Sequence, residues 1–260
     1  MMRTARPFLP ACLLTAWLLS GCGPQFQAPA VDQAALSAAQ QEIAAAGPLR
    51  MHDRAPAEQR ALLQRVATRV APAARAVCES QRGSQGCGFR VAYDPATAAN
   101  AYASGQGNVA VTAGMLRLVD NDDELAAVLA HEFGHHIANH ITRAQTRTTV
   151  GALAGAVVGS YAGLGDLSDI GGQVGRLTYS KADEREADYL AAYITARAGY
   201  DLDRAEGIWT KLAASGGGGM TAGLLDTHPA GPERLAAWEA AKREIAEAPN
   251  GLPRTIASAR

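Results

Sequence analysis

The sequence predicts an α+β fold that is mainly helical and contains a small β-sheet. Aromatic residues make up only 5% of the 260 residues and glycine occupies 27 positions, a composition that favours closely packed helices. Several long segments place apolar residues at helical spacing, and only two short segments alternate as strands do. The length suits one domain with appendages. With 24 basic and 25 acidic side chains, no nucleic-acid partner is expected.

The first 22 residues are predicted to lie outside the folded domain. Two arginines precede an apolar run from Phe8 to Leu19, which is too short to span a membrane. The run continues into Ser20-Gly21-Cys22, which resembles the lipobox of bacterial lipoproteins. This resemblance implies cleavage before Cys22 and membrane anchoring through acyl chains on that residue. It also implies the periplasmic face of the outer membrane if the source is Gram-negative. The alternative is an ordinary signal peptide with a chance cysteine.

The export signal also bears on the domain organisation and on the remaining cysteines. Cys78 and Cys87 are predicted to form a disulfide, because the implied compartment permits one; the alternative is two buried thiols. The predicted parts of the chain are a signal peptide over 1–21, a lipidated tether with a helix over 22–48, a folded domain over 49–249 and a tail over 250–260.

Helices and strands follow in order from the apolar pattern. A helix is predicted from Pro56 to about Gln81, in which Pro72 is expected to introduce a kink or an end. Alternation predicts strands over Phe89–Tyr93 and Asn108–Thr112. Further helices are predicted over 31–46, 122–141, 181–198, 202–214 and 232–247.

Residues 149–165 are apolar and small, with glycine at every fourth position. A helix here would have one face lined by glycine, without side chains, which is typical of membrane-touching or helix-pairing segments. The alternative is a Gly/Ala-rich loop or a short soluble helix, because about 17 residues is marginal for spanning a bilayer.

The helix predicted over 122–141 carries the chemistry. Asn121 is placed to cap it, and the acidic first turn complements its positive end. His131 and His135 lie four residues apart, so both imidazoles project from one face, and Glu132 lies on the same side. Two imidazoles and an adjacent carboxylate are the groups that a zinc hydrolase needs, since the imidazoles bind the metal and the carboxylate reaches its water.

A second acidic segment offers further ligands. Glu184 and Asp188 are also four residues apart and share a helix face. Glu184 is the candidate third zinc ligand, and Asp188 the candidate hydrogen-bond partner of the far nitrogen of a zinc-bound histidine. The rest of the segment is expected to form a solvated helix face: Asp183, Arg185 and Glu186. The remaining histidines are expected not to touch the metal: His52, His136 and His140.

Three segments together resemble one enzyme family. The run from Asp123 to His135 resembles the active-site helix of the HtpX and CAAX-prenyl-endopeptidase zinc metallopeptidases. Ser180 to Asp188 resembles the second motif of that family, with Lys181 in place of arginine. Thr227-His228-Pro229, followed by Glu233-Arg234, resembles the third. The resemblance spans about residues 90–240 and implies a gluzincin-type metallopeptidase domain of the soluble lipoprotein branch.

The resemblance also implies roles for individual residues. One zinc ion per chain is bound by His131, His135 and Glu184, and Glu132 acts as the general base. His228 either stabilises the oxyanion or occupies the zinc in a resting state, and Arg234 assists nearby. The candidate edge strand, which would hold the substrate backbone by strand addition, consists of Asn108, Val109, Ala110, Val111 and Thr112.

These expectations combine into one predicted function. The chain is expected to be a zinc-dependent metalloendopeptidase that cleaves unfolded or misassembled cell-envelope proteins while anchored to the membrane through Cys22. One alternative is a chaperone-like assembly factor with a self-inhibited zinc site. Another is a structural lipoprotein with an incidental zinc, and a third is cleavage of prenylated peptides.

Overall fold

The structure is a computed structural model that describes residues 24–162, 179–215, 228 and 230–256. The predicted fold class is confirmed: the chain is mainly helical, and helices pack against a three-stranded sheet. The strands are β1 (Arg90–Asp94), β2 (Ala101–Ala103) and β3 (Asn108–Thr112). The described helices are α1 (Gln33–Ala45), α2 (Pro56–Arg82), α3 (Ala113–Leu118), α4 (Asp122–Ile137), α5 (His140–Ala162), α6 (Lys181–Arg197), α7 (Leu202–Ala205), α8 (Gly207–Ala214) and α9 (Pro232–Glu247).

Helix α4 lies at the centre of the core and is buried on nearly every side. Its apolar residues, such as Leu129 and Phe133, pack against α2 and α6. Gly134 allows the closest approach, because a Cβ atom there would lie only 2.8 Å from the backbone oxygen of Ala187 on α6. The absence of a side chain at position 134 therefore brings the histidine-bearing helix against the second acidic segment.

The sheet has the order β1-β3-β2, so β3 is its central strand. Ala110 of β3 is paired in parallel with Ala92 of β1 and antiparallel with Tyr102 of β2. The prediction that Asn108–Thr112 is an edge strand is therefore wrong. Alternation along the chain does not encode the order of strands within a sheet, and the three residues of β2 are too few to predict a strand.

Two predicted helices have different ends from those expected. Helix α4 ends at Ile137 rather than at residue 141, and Asn139 adopts a positive φ of 58° before α5 begins at His140. This left-handed residue redirects the chain, a change that apolar spacing does not reveal. The helix predicted over 202–214 is divided into α7 and α8 at Glu206.

The long helix α2 passes through Pro72 instead of ending there. Pro72 lies on the exposed side of the helix, where water can bind the carbonyl group that loses its intrahelical partner. Cys78, in the last turns of α2, forms a disulfide with Cys87, with a Cα–Cα distance of 5.7 Å. This bond ties the end of α2 to the segment that leads into β1.

The two ends of the described chain pack together on the domain. Gln27 N–H donates to the carbonyl oxygen of Arg254 at 2.8 Å, and Ile256 N–H donates to that of Gln25 at 3.0 Å. Phe26, in the segment predicted as a tether, is only 4% exposed and belongs to the hydrophobic core. The predicted signal peptide and Cys22 lie outside the described residues.

Helix α5 includes most of the Gly/Ala-rich segment predicted over 149–165, and residues 163–165 lie outside the described part of the chain. Its second half exposes large apolar side chains, with Leu153 64% and Tyr161 96% exposed. Within the described residues, no helix combines the length and the hydropathy needed to cross a bilayer.

Candidate active site

Four buried side chains converge at the junction of α4 and α6. His131 and His135 come from α4, Glu184 from the first turn of α6, and His228 from just before α9. One ligand atom from each lies within 4.8 Å of all the others. The structure therefore brings together the three predicted zinc ligands, and it adds His228 as a fourth group.

The distances within this group suit a tetrahedral cation. The His131 and His135 Nε2 atoms are 3.0 Å apart, and His228 Nδ1 lies 3.2 Å from His131 Nε2. Glu184 Oε1 is 3.0 Å from His228 Nδ1 and 3.5 Å from His135 Nε2. Ligand atoms about 2.05 Å from a tetrahedral zinc ion would be separated by about 3.3 Å. The spacing thus fits the predicted metal.

The hydrogen bonds around the two helix histidines leave both Nε2 atoms available to a metal. His131 Nδ1 lies 2.8 Å from Asp188 Oδ1. A carboxylate only accepts, so Nδ1 holds a proton, and loss of the second proton of His131 leaves a lone pair on its Nε2 atom. If His135 donates from Nδ1 to its neighbour His140, 2.8 Å away, its Nε2 atom also carries a lone pair. A cation between the two Nε2 atoms would be bound by both.

Asp188 takes the position predicted for it and is itself held by Arg234. Arg234 donates from Nε to Asp188 Oδ2 and from Nη2 to Oδ1, both at 2.7 Å. Its Nη1 lies 3.1 Å from Glu184 Oε2, and its guanidinium group lies over the ring of Trp209. One buried arginine therefore fixes both the candidate ligand Glu184 and the partner of His131.

The pKa values of His131 and His135 are shifted in opposite directions. Burial disfavours the charged form of His131, but hydrogen bonds to Asp188 and Glu184 raise its pKa to about 9. Burial holds the pKa of His135 well below its ordinary value. Burial alone would raise the pKa of Glu184, but the neighbouring His228 and Arg234 hold it well below the usual range. Glu184 is thus an ionised candidate ligand.

Glu132 lies beside the ligand group and is 1% exposed as a side chain. Its Oε1 atom is 3.6 Å from His228 Nε2. Its buried Oε2 atom has no hydrogen-bond partner among the described residues. Burial raises the pKa of Glu132, which strengthens the carboxylate as a base. A buried carboxylate with one oxygen free of protein partners is suited to hold a reacting water.

Tyr179, just before α6, is a site residue that the sequence reasoning missed. Its ring stacks on that of His135 with a centroid separation of 3.8 Å, and it lies 5.1 Å from the ring of His228. Burial raises the pKa of Tyr179, so its hydroxyl stays protonated. Only its position next to the second acidic segment could have drawn attention to it.

One expectation about neighbouring residues is wrong. Asp183 and Glu186 are buried, where a solvated face was expected, because the start of α5 covers this side of α6 with Arg143. His140 is not one of the four candidate ligand residues, but it contacts the candidate ligand His135, because the chain turns back at Asn139. His136 does point away from the site, with Nε2 3.1 Å from the backbone oxygen of Asn108.

The sequence of residues 57–242 matches that of peptidase family M48. The chain belongs to peptidase family M48. It is also similar to proteins described as "Mitochondrial metalloendopeptidase OMA1". The protein of Saccharomyces cerevisiae is 30% identical over 154 residues, 56% of this chain and 44% of the relative. That of Arabidopsis thaliana is 30% identical over 135 residues, 52% of this chain and 28% of the relative. That of Schizosaccharomyces pombe is 32% identical over 139 residues, 52% and 41% respectively.

The M48 match and the relatives support the predicted enzyme class, a metalloendopeptidase. The chain spans less than half the length of these relatives. The predicted localisation is corrected: the relatives are mitochondrial proteins, which contradicts an address at the bacterial outer membrane. That prediction depended on a short N-terminal resemblance that ends at Cys22, outside the described residues.

Proposed function

We propose that this M48 chain is a zinc metalloendopeptidase that hydrolyses peptide bonds in unfolded or misassembled proteins. The observation that carries the proposal is the buried group of His131, His135 and Glu184 with Glu132 beside it. Its metal-ligand atoms are spaced as a tetrahedral zinc ion requires. The resemblance of its motifs to those of the HtpX and CAAX-type enzymes supports the same activity.

The side chains divide the chemistry between them. Zinc, when bound by His131, His135 and Glu184, supplies a Lewis acid that polarises a carbonyl group and acidifies a water. Glu132 accepts the proton of the attacking water at its buried carboxylate and returns it to the leaving amine. Asp188 holds the Nδ1 proton of His131, which leaves Nε2 as the ligand atom.

The proposed role of His228 depends on whether its side chain binds the zinc. In the structure its Nδ1 atom belongs to the ligand group, 3.2 Å from His131 Nε2, where it takes a fourth ligand position. A catalytic zinc needs that position for water or substrate. We therefore propose that His228 binds the zinc in a resting state and leaves the ligand group to stabilise the oxyanion during turnover.

The same observation favours a second candidate function. If His228 stays in the ligand group, the site is self-inhibited, and the chain would hold unfolded clients without cutting them. Substitution of His228 by alanine separates the two functions. Faster cleavage by the variant would support self-inhibition, and loss of cleavage would support a role in oxyanion stabilisation.

Substrate binding by strand addition is reassigned from β3 to β2. Ser104 N–H and the carbonyl oxygen of Asn100 both pair with β3. Because alternate residues of a strand face opposite edges, the backbone groups of Ala101 and Ala103 point away from β3. Strand β2 also packs against α4, so its outer edge is proposed to hold the substrate backbone near the site.

The test is cleavage of casein, an unfolded protein, by the purified chain with zinc, with a chelator, and as Glu132→Gln. Cleavage by the zinc-loaded wild type alone is expected, because the glutamine amide keeps the shape of the side chain but is not a base. Zinc content measured on both proteins serves as the control, and it should be equal. Cleavage by zinc-loaded Glu132→Gln at the wild-type rate would refute the mechanism.

A further inference from the structure

The outer nitrogen of His135 has a partner of its own. Its Nδ1 atom lies 2.8 Å from His140 Nδ1, and His140 Nε2 lies 2.9 Å from Glu186 Oε2. The side chain of His140 is 0% exposed and that of Glu186 is 1% exposed. A zinc-binding histidine normally donates its second N–H to a carboxylate or a carbonyl group. Here the partner of the second nitrogen is the imidazole of His140.

If both imidazoles are neutral, the hydrogen bonds admit one consistent arrangement of protons. Glu186 accepts, so His140 Nε2 carries a proton and its Nδ1 atom is left with a lone pair. That lone pair accepts the Nδ1 proton of His135, which leaves the His135 Nε2 atom free to bind the metal. Each imidazole is neutral and each contact joins one donor to one acceptor.

Glu186 extends this chain of hydrogen bonds to the N-terminal segment. Its Oε1 atom accepts from the backbone N–H groups of Gln25 and Phe26, at 2.5 and 2.7 Å. Phe26 is buried in the core, and this segment is paired with residues 254–256. A packed piece of main chain therefore fixes one oxygen of Glu186, and the other oxygen fixes His140.

The charges around Glu186 argue against a second cation site here. His140, Asp183 and Glu186 are close enough together to bind a metal. However, Arg143 Nη2 lies 2.9 Å from Asp183 Oδ1 and 3.0 Å from Glu186 Oε2. The guanidinium group already supplies the positive charge between these carboxylates. The group is thus better suited to orient His140 than to bind an ion.

We propose that His140 and Glu186 are positioning residues for the zinc ligand His135, and that the N-terminal segment at Gln25 and Phe26 sets the zinc affinity of the site through them. This inference rests on the proposed zinc site. It assigns a function to His140 and to a segment far from α4 in the sequence. Orientation of a ligand through its outer nitrogen typically changes metal affinity about 10-fold to 100-fold.

The test measures zinc affinity of the full chain by competition with a chromophoric chelator. His140→Phe keeps an aromatic ring but removes the acceptor for His135, and about 10-fold to 100-fold weaker binding is expected. His136→Phe is the matched control, since His136 is the neighbour of His135 but points away from the site, and it should bind zinc as the wild type does. His140→Gln restores an acceptor oxygen and should recover part of the affinity.

A second pair of variants tests the N-terminal segment. Gln25→Pro removes one N–H donor to Glu186, and Gln25→Ala keeps it. Only the proline variant should weaken zinc binding, by less than His140→Phe does. The visible absorption of the Co²⁺-loaded protein should change in His140→Phe and stay unchanged in His136→Phe, because only the former removes the hydrogen-bond partner that orients the ligand His135.

The outcomes separate this inference from the proposed function. Wild-type chain that binds no zinc would refute both. Stoichiometric zinc in the wild type, with equal affinity in a folded His140→Phe, would overturn the inference alone. An equal loss in His136→Phe would indicate general loosening of α4 and would also overturn it. If thermal unfolding shows that metal-free His140→Phe is not folded, Glu186→Gln replaces it, with the same expected loss and the same refuting result.

Discussion

Substitution of Asp188 should change two separately measurable quantities, the free energy of unfolding and the zinc affinity. It is 1% exposed and accepts two hydrogen bonds at 2.7 Å from Arg234 as well as one from His131. Asp188→Asn removes the negative charge and leaves the buried Arg234 with a poorer partner. Breaking a buried ion pair costs about 3–5 kcal/mol of unfolding free energy. The loss of His131 orientation should also weaken zinc binding by about 10-fold to 100-fold.

The chain contains a matched control for this change. Arg65 binds Asp122 with the same two-point geometry, at 2.7 Å for each contact. Their side chains are 56% and 34% exposed, so solvent screens the pair and Asp122→Asn should cost only about 0.2–1 kcal/mol. The comparison therefore isolates the effect of burial from that of hydrogen-bond geometry.

Urea unfolding of the metal-free chain and chelator competition give the two quantities independently. The double variant Asp188→Asn with Arg234→Leu also removes the contact of Arg234 with Glu184. It should recover none of the zinc affinity, and its stability relative to Asp188→Asn measures what that remaining contact contributes. Equal losses of stability in Asp188→Asn and Asp122→Asn would refute the assignment of a buried ion pair. Unchanged zinc affinity in Asp188→Asn would refute the orientation of His131.

Three further predictions follow from the same structure. Gly134→Ala places a Cβ atom 2.8 Å from the backbone of Ala187. The variant should be less stable, because an overpacking cost of about 1–3 kcal/mol should exceed the gain of about 1 kcal/mol in helix propensity. A rise in the urea midpoint of unfolding would contradict this prediction. The pKa of about 9 for His131 means that zinc must displace a proton from this residue below pH 9. Zinc affinity should therefore fall as the pH falls from 9 to 6, and calorimetry in two buffers should detect proton release. A pH-independent zinc affinity would contradict this prediction. Ala103→Pro removes an outward backbone donor from the edge of β2 and should raise KM for casein with kcat little changed; an unchanged KM would show that substrates bind elsewhere.

The sequence predicted those parts of the site that depend on local spacing. His131 and His135 share a face of α4 because four residues make about one helical turn. Glu184 and Asp188 share a face of α6 for the same reason, and the structure places all four as the spacing requires. Asn121 caps α4 as predicted, accepting from Glu124 N–H at 2.9 Å. These features require only that the two helices form and pack against each other.

The features that were not predictable depend on where the chain turns and on what covers each face. A single left-handed residue, Asn139, ends α4 early and brings His140 to His135. Asp183 and Glu186 look like surface residues until α5 supplies Arg143. The order of the strands depends on pairing between distant segments, so alternation within Asn108–Thr112 carried no information about which edge stays free.

The two candidate imidazole ligands are held in chemically different ways. His131 donates to an ionised carboxylate that is itself paired with Arg234, whereas in the proposed proton arrangement His135 donates to a neutral imidazole. A charged acceptor strengthens its hydrogen bond about twofold relative to a neutral one and makes the donor ring a stronger ligand. His131 is therefore the more firmly fixed candidate ligand, and it belongs to the packed junction of α4, α6 and α9. His135 depends on the weaker contact, whose far end is a segment at the edge of the domain. Any motion of the N-terminal segment would consequently act on the zinc site through His135 and leave the His131 side in place.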